Sequence, residues 1–293
     1  MIQVSGTSTA IVTPFLADGT IDFHSFETLL ERQISAGIES VVVCGSTGEG
    51  ATLTFEEKCS LFRFAVEKNQ KRIPIIAGTG SNDTRASIEL TQAAEQCGVD
   101  AMLVVAPFYN KPTQHGLFQH FHAIADSTEL PIILYNVPGR TACNMTAETQ
   151  LKIAEHCKNV IATKEASADL EQMMEIIRNA PDHFTLLAGD DALALPIIAC
   201  GGKGVVSVIS NIIPLEFGNS IRMALNGNYA EAREQHLYYL SLMKACFIES
   251  NPIPAKTLLA EMGLLQDNFR LPLTQIQNQN RQKLQEIKNR YNL

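Results

Sequence analysis

Short apolar runs recur along the chain at residues 9–15, 41–45, 75–80, 102–107, 132–137, 161–166, 185–190 and 205–210. Each is close to continuously hydrophobic rather than alternating, as expected of parallel strands covered on both faces. Most are separated by stripes of helical period. Phe26, Leu29, Leu30 and Ile34 share one face, with Asp22 placed to cap the helix and Gly37 to stop it. Thr54 and Glu57 have capping-box spacing ahead of Phe55, Cys59, Phe62 and Val66. Leu90, Ala93, Ala94 and Cys97 form a further stripe closed by Gly98, and Leu170, Met173, Met174 and Ile177 another. Strand-then-helix units repeated eight times predict an α/β chain, specifically a (β/α)8 TIM barrel.

From about residue 227 the strand signal stops. Residues 229–249, 255–262 and 273–290 read as helices, with Asn251-Pro252-Ile253-Pro254 breaking the first from the second. The expected organisation is a barrel over residues 1–226 that carries the active site, and a C-terminal helical extension over 227–293.

Composition narrows the partners. Of 293 residues, 45% are hydrophobic and 18% charged, enough for a large core. A net charge of −8 argues against nucleic acid and anionic membranes, though a small anionic substrate is compatible with local fields. The seven cysteines (Cys44, Cys59, Cys97, Cys143, Cys157, Cys200, Cys246) are scattered and contain no C-x-x-C, as reduced packing cysteines do. No basic-then-apolar leader and no apolar run of ~18 residues is present, so a soluble cytoplasmic protein is expected.

The chemistry of such a barrel sits at the C-terminal ends of its strands. Strand 6 ends in Lys164, and a lysine closing an apolar run needs explaining because desolvating an ammonium is expensive. It either pairs with Glu165 or snorkels to water, or burial lowers its pKa and makes a neutral amine for Schiff-base chemistry. Strand 2 ends in Gly45-Ser46-Thr47-Gly48-Glu49, where backbone N–H groups could converge on an anion or simply make a turn. Glu49 reads as a structural or helix-start acid. Tyr109 and Tyr135 fall at strand ends, where a phenol can shuttle protons with Ser46 or Thr47, or merely pack. Arg140 follows a Pro-Gly turn and can clamp a carboxylate or stay solvated. Metal signals are weak: no histidine directly ends a strand, no H-E-x-x-H occurs, and Asp190-Asp191 reads better as a solvated pair capping the next helix.

Taken together, these residues resemble the pyruvate-dependent class I lyase superfamily, and within it the dihydrodipicolinate synthase family. The likeness covers essentially the whole chain. It runs through Thr13-Pro14-Phe15, the GSTGE stretch, Gly78-Thr79-Gly80-Ser81-Asn82, Tyr109-Asn110-Lys111-Pro112-Thr113 and residues 135–141, then Lys164-Glu165-Ala166, Gly189-Asp190-Asp191 and Asn251-Pro252-Ile253-Pro254-Ala255-Lys256. GSTGE, the strand-5 tyrosine and the strand-6 lysine also suit N-acetylneuraminate lyase-like and keto-deoxy-sugar-acid aldolases. Arg140 and the Tyr109-Asn110-Lys111-Pro112 stretch favour the synthases. A catalytically silent keto-acid-binding barrel is the remaining alternative.

The resemblance implies that Lys164 forms a Schiff base with pyruvate and that Tyr135 donates and accepts protons. It implies that Thr47 and Tyr109 complete the relay, Tyr109 from a neighbouring subunit of a homotetramer built from dimers. The Ser46 and Thr47 backbone would hold the pyruvate carboxylate, with Val206 and Gly189 beside the bound acids. Arg140 would hold the carboxylate of L-aspartate 4-semialdehyde, and neither metal nor cofactor is required. Lysine-inhibited relatives carry a histidine, a glutamate and a tyrosine where this chain has Lys58, Ala86 and Phe108. Weak or absent feedback by lysine is therefore expected, since a cationic Lys58 repels a cationic effector.

Overall fold

The computed structural model describes residues 4–293. Eight parallel strands close on themselves in chain order. They are β1 (Gly6–Ala10), β2 (Ser40–Val43), β3 (Ile75–Gly78), β4 (Ala101–Val105), β5 (Ile132–Asn136), β6 (Val160–Glu165), β7 (Thr185–Ala188) and β8 (Gly204–Ser207). The ring is completed by β1 against β8, with Ser8 opposite Val206. This is the expected (β/α)8 barrel.

Around it run α1 (Phe23–Ser35), α2 (Phe55–Asn69), α3 (Thr84–Gln96), α4 (Gln114–Ala125), a single turn α5 (Pro138–Thr141), α6 (Ala147–His156), α7 (Leu170–Asn179), α8 (Ala194–Ala199) and α9 (Pro214–Leu225). The caps are those expected. The Asp22 side chain accepts from Ser25 N, and Thr54 and Glu57 form a complete capping box. Strand alternation splits the core in two. Val42, Ile76, Leu103, Ile133, Ile161, Leu187 and Val206 fill the barrel, whereas Val41, Val43, Ile75, Met102, Leu134 and Leu186 pack outward against helices.

The first strand departs from its expected place. β1 lies at Gly6–Ala10 rather than 9–15, because it is polar at Thr7, Ser8 and Thr9 and hydrophobicity alone overlooks it. Those hydroxyls find buried partners: Thr9 Oγ1 donates to Gln33 Oε1 at 2.8 Å, and Ser40 Oγ to Ser8 Oγ at 2.8 Å. The apolar run after it contains Pro14, which has no N–H for a ladder. The other seven strands stop one to three residues short of their expected ends, and the remainder forms the loops at the barrel mouth.

Three helices follow the barrel: α10 (Tyr229–Ala245), α11 (Ile253–Glu261) and α12 (Asn278–Tyr291). The last begins five residues later than expected, beyond Leu271-Pro272. α10 packs on α8 and α9, and α12 lies across α10 and α11. Among the described residues no helix is long and apolar enough to cross a membrane.

Candidate active site

Lys164 is the penultimate residue of β6, 6% exposed, and stands level with Tyr135 of β5 and Leu187 of β7. Paired positions on parallel neighbours point the same way, so Lys164 and Tyr135 both face the barrel interior. The lysine Nζ lies 4.1 Å from the centre of the Tyr135 ring. Glu165 necessarily points outward, and its fully buried carboxylate is already occupied. Asn136 Nδ2 donates to both its oxygens at 3.1 and 3.0 Å, Gln150 Nε2 at 2.8 Å, Gln172 Nε2 at 3.1 Å and Ser167 N at 2.9 Å. The structure therefore removes the simplest bland reading of Lys164, a pair with Glu165. Val206 on β8 is 1% exposed and belongs to the same interior cluster as Tyr135.

The loop after β2 places Thr47 at the mouth, 4% exposed. Its tight path depends on glycine: a Cβ on Gly50 would stand 2.3 Å from the Cys44 carbonyl oxygen. Thr13 Oγ1 donates to Gly48 O at 2.7 Å and ties the loop to the segment after β1. Thr47 Oγ1 accepts from Asn251 Nδ2 at 2.9 Å. Asn251, in the turn before α11, also receives Arg140 at its backbone oxygen (Nη2 to O, 3.3 Å). One buried asparagine thus joins Thr47 and Arg140, and its Oδ1 has no hydrogen-bond partner among the described residues.

Beneath this bridge, Glu49 and Lys256 form an ion pair with no side-chain exposure on either partner, Nζ to Oε1 2.5 Å. Lys256 Nζ also donates to Asn268 O at 2.8 Å and lies 4.5 and 4.7 Å from the Phe15 and Phe269 rings. Burial pulls the Lys256 pKa below its ordinary value, and Glu49 opposes the shift. Glu49 is thus the structural acid expected.

Other positions are less gathered. Gly189 N donates to Glu165 O at 2.7 Å, and a Cβ there would meet the Ala166 Cβ at 2.5 Å, so glycine lets the ends of β6 and β7 approach. Ser46 and Arg140 are exposed. Tyr109 is 88% exposed at φ +71°, a conformation rare for aromatic residues, and within this chain it does not face Lys164 from inside the barrel as Tyr135 does. Asp190 Oδ1 accepts from Ala192 N at 2.8 Å, capping the following turn as expected. Asp191 is not the solvated residue expected but 2% exposed. Its Oδ2 accepts from Val208 N at 3.0 Å and Ile209 N at 2.9 Å, and burial pushes its pKa up to about 6. No group of three or more His, Cys, Asp or Glu among the described residues is placed to hold a metal ion.

The model for the Dihydrodipicolinate synthetase family matches residues 3–290. The chain belongs to this family. A 4-hydroxy-tetrahydrodipicolinate synthase of Koribacter versatilis is 48% identical over 287 residues, 98% of this chain and 95% of the relative. The crystal structure of dihydrodipicolinate synthase from Aquifex aeolicus superposes with a TM-score of 0.97 at 43% identity over 99% of both chains. A structure described as the first monomeric dihydrodipicolinate synthase variant gives a TM-score of 0.97 at 38% identity, covering 99% of this chain and 97% of that one.

Three residues of this family member carry more than their sequence context suggested. Asn251 reads as part of a helix-breaking stretch, Lys256 as one position of a helix, and Asp191 as a loop acid. Asn-Pro-x-Pro followed by a lysine in an apolar setting was the available signal for the first two. Nothing local marks Thr47 and Glu49 as their partners, which lie over 200 residues earlier.

Proposed function

We infer that this chain condenses pyruvate with L-aspartate 4-semialdehyde to give 4-hydroxy-tetrahydrodipicolinate, a step toward diaminopimelate and lysine. The observation that carries the reading is Lys164, buried at the C-terminal end of β6, without Glu165 as partner and stacked on Tyr135, in a member of this family.

The Lys164 amine attacks C2 of pyruvate and water leaves, forming an imine. The imine withdraws electrons, C3 loses a proton, and the resulting enamine attacks the aldehyde of the second substrate. That substrate's amino group then attacks C2, closes the ring and releases the lysine. Splitting the reaction through a covalent imine replaces one difficult carbanion with accessible steps.

Tyr135 moves the protons. Because Thr47 Oγ1 accepts from Asn251, its own hydrogen is left to donate toward the phenol. Tyr109 completes the relay in the site of a partner subunit, and its exposure on the isolated chain supports that role. Backbone N–H groups of Ser46 and Thr47 hold the pyruvate carboxylate, Val206 and Gly189 line its pocket, and Arg140 clamps the carboxylate of the semialdehyde. The chemistry calls for no metal or cofactor. The assembly proposed is a homotetramer, a dimer of dimers, in the cytoplasm.

Borohydride reduction in the presence of pyruvate, followed by intact mass and peptide mapping, tests the chemistry. The native chain should gain one reduced pyruvate on Lys164 and Lys164→Ala none; an unmodified native chain would refute the Schiff base. Assays with sialic acid and 2-keto-3-deoxy sugar acids then separate the synthase from other aldolases, which would cleave them.

A further inference from the structure

Two cysteines that helical periodicity places on separate stripes are brought together by the fold. Cys59 lies in the second turn of α2, and Cys97 caps the C-terminus of α3. The Cys97 thiol donates to the Cys59 backbone oxygen at 3.6 Å. Arg63, one turn beyond Cys59, directs its guanidinium at Cys97 Sγ from 3.8 Å. Both cysteines line an open cavity of about 450 Å³ between the two helices, with Phe55 and Gln96 at its walls. The barrel chemistry uses none of these groups.

The geometry points to a dithiol–disulfide site, in which Cys59 and Cys97 cross-link α2 to α3 on meeting a small disulfide such as oxidised glutathione. Their surroundings divide the roles. Cys97 is half-buried, with the Arg63 guanidinium donating to its sulfur, so it is the sulfur a reagent in the cavity meets first. Cys59 is buried, and desolvation pushes its thiol up, which suits it to react second.

The Cys97 thiolate attacks one sulfur of the reagent, breaking its S–S bond and expelling one small thiolate. That thiolate takes up the proton Cys97 has lost. The Cys59 sulfur then displaces the second small thiol from Cys97, its own proton passing to the leaving group. Two protein thiols are oxidised to one disulfide and one small disulfide is reduced to two thiols, so atoms and electrons balance. The contact of Cys97 Sγ with the Cys59 backbone oxygen already sets the end of α3 against the second turn of α2.

The test exposes the native full-length chain to oxidised glutathione, blocks remaining thiols with iodoacetamide, and maps the peptides by mass. The expected result is a Cys59–Cys97 linked peptide that retains no glutathione and is reversed by dithiothreitol. Cys59→Ser should instead trap glutathione on Cys97, and Arg63→Gln should slow the native cross-link several-fold. The exposed Cys200 reports that the reagent is active. Glutathione stably held on Cys97 of the native chain with Cys59 still alkylated, or modification confined to Cys200, would overturn the proposal.

Discussion

Asn251 shows how one residue can touch two others of the proposed site. Its side-chain amide donates to Thr47 and its backbone oxygen receives Arg140, so it links a proposed relay hydroxyl to a proposed carboxylate clamp. Asn251→Ala should lower kcat/KM roughly tenfold or more, because outer partners typically contribute 10–100-fold by holding reactive groups in place. Steady-state kinetics on both substrates measures this, and an unchanged kcat/KM would deny Asn251 the role. Asp191 gives a pH signature instead. Its folded pKa of about 6 lies above the ordinary 3.8, so folding binds its proton more tightly. Its stabilising contribution is fully present below about pH 3.8 and is lost as pH rises through about 6. Thermal melts between these limits should show that downward slope with rising pH from this group, and Asp191→Asn should flatten it.

Among elements, α11 is fastened to the loop after β2 by a charge buried on both sides. The Glu49–Lys256 pair is dry, hydrogen-bonded and bracketed by two aromatic rings. Lys256→Ala leaves a carboxylate without its counter-ion and should cost about 3–5 kcal/mol of stability in denaturant titrations. The double variant Glu49→Gln with Lys256→Met removes both charges and should be less destabilised than Lys256→Ala. If the double variant were the weaker, the unpaired charge would not be the cause. The same fastening carries Asn251, at the start of α11, to the barrel mouth. A helical segment with no strand of its own therefore reaches the centre of the proposed chemistry.

At the level of the whole molecule, Tyr109 stands apart from Lys164 and Tyr135. A phenol 88% exposed at a left-handed backbone position is poorly explained within one chain, and well explained if a second copy covers it. Mixing Lys164→Ala and Tyr109→Phe chains tests this by complementation. In a mixed dimer one site keeps its own lysine and receives the intact tyrosine of its partner. Activity should return on mixing two inactive or impaired variants; its failure to return in demonstrated mixed dimers would keep Tyr109 within its own subunit.

The barrel was legible along the chain because its evidence is local. Strands buried on both faces leave continuous apolar runs, and helices leave periodic stripes bounded by caps such as Asp22 and Thr54-Glu57. The main lapse, at β1, came where buried threonines and serine replace hydrophobic residues and are satisfied by partners that only folding supplies. Lys164, Tyr135 and Thr47 could be singled out because strand ends are recognisable and amines and hydroxyls there are unusual. The direction of Lys164 away from Glu165, the bridge through Asn251, the burial of Asp191 and the contact of Cys59 with Cys97 were decided by tertiary structure alone. Each depends on closing the ring or folding the last helices back onto it. A linear pattern records which face of its own element a residue occupies, but not what will stand opposite.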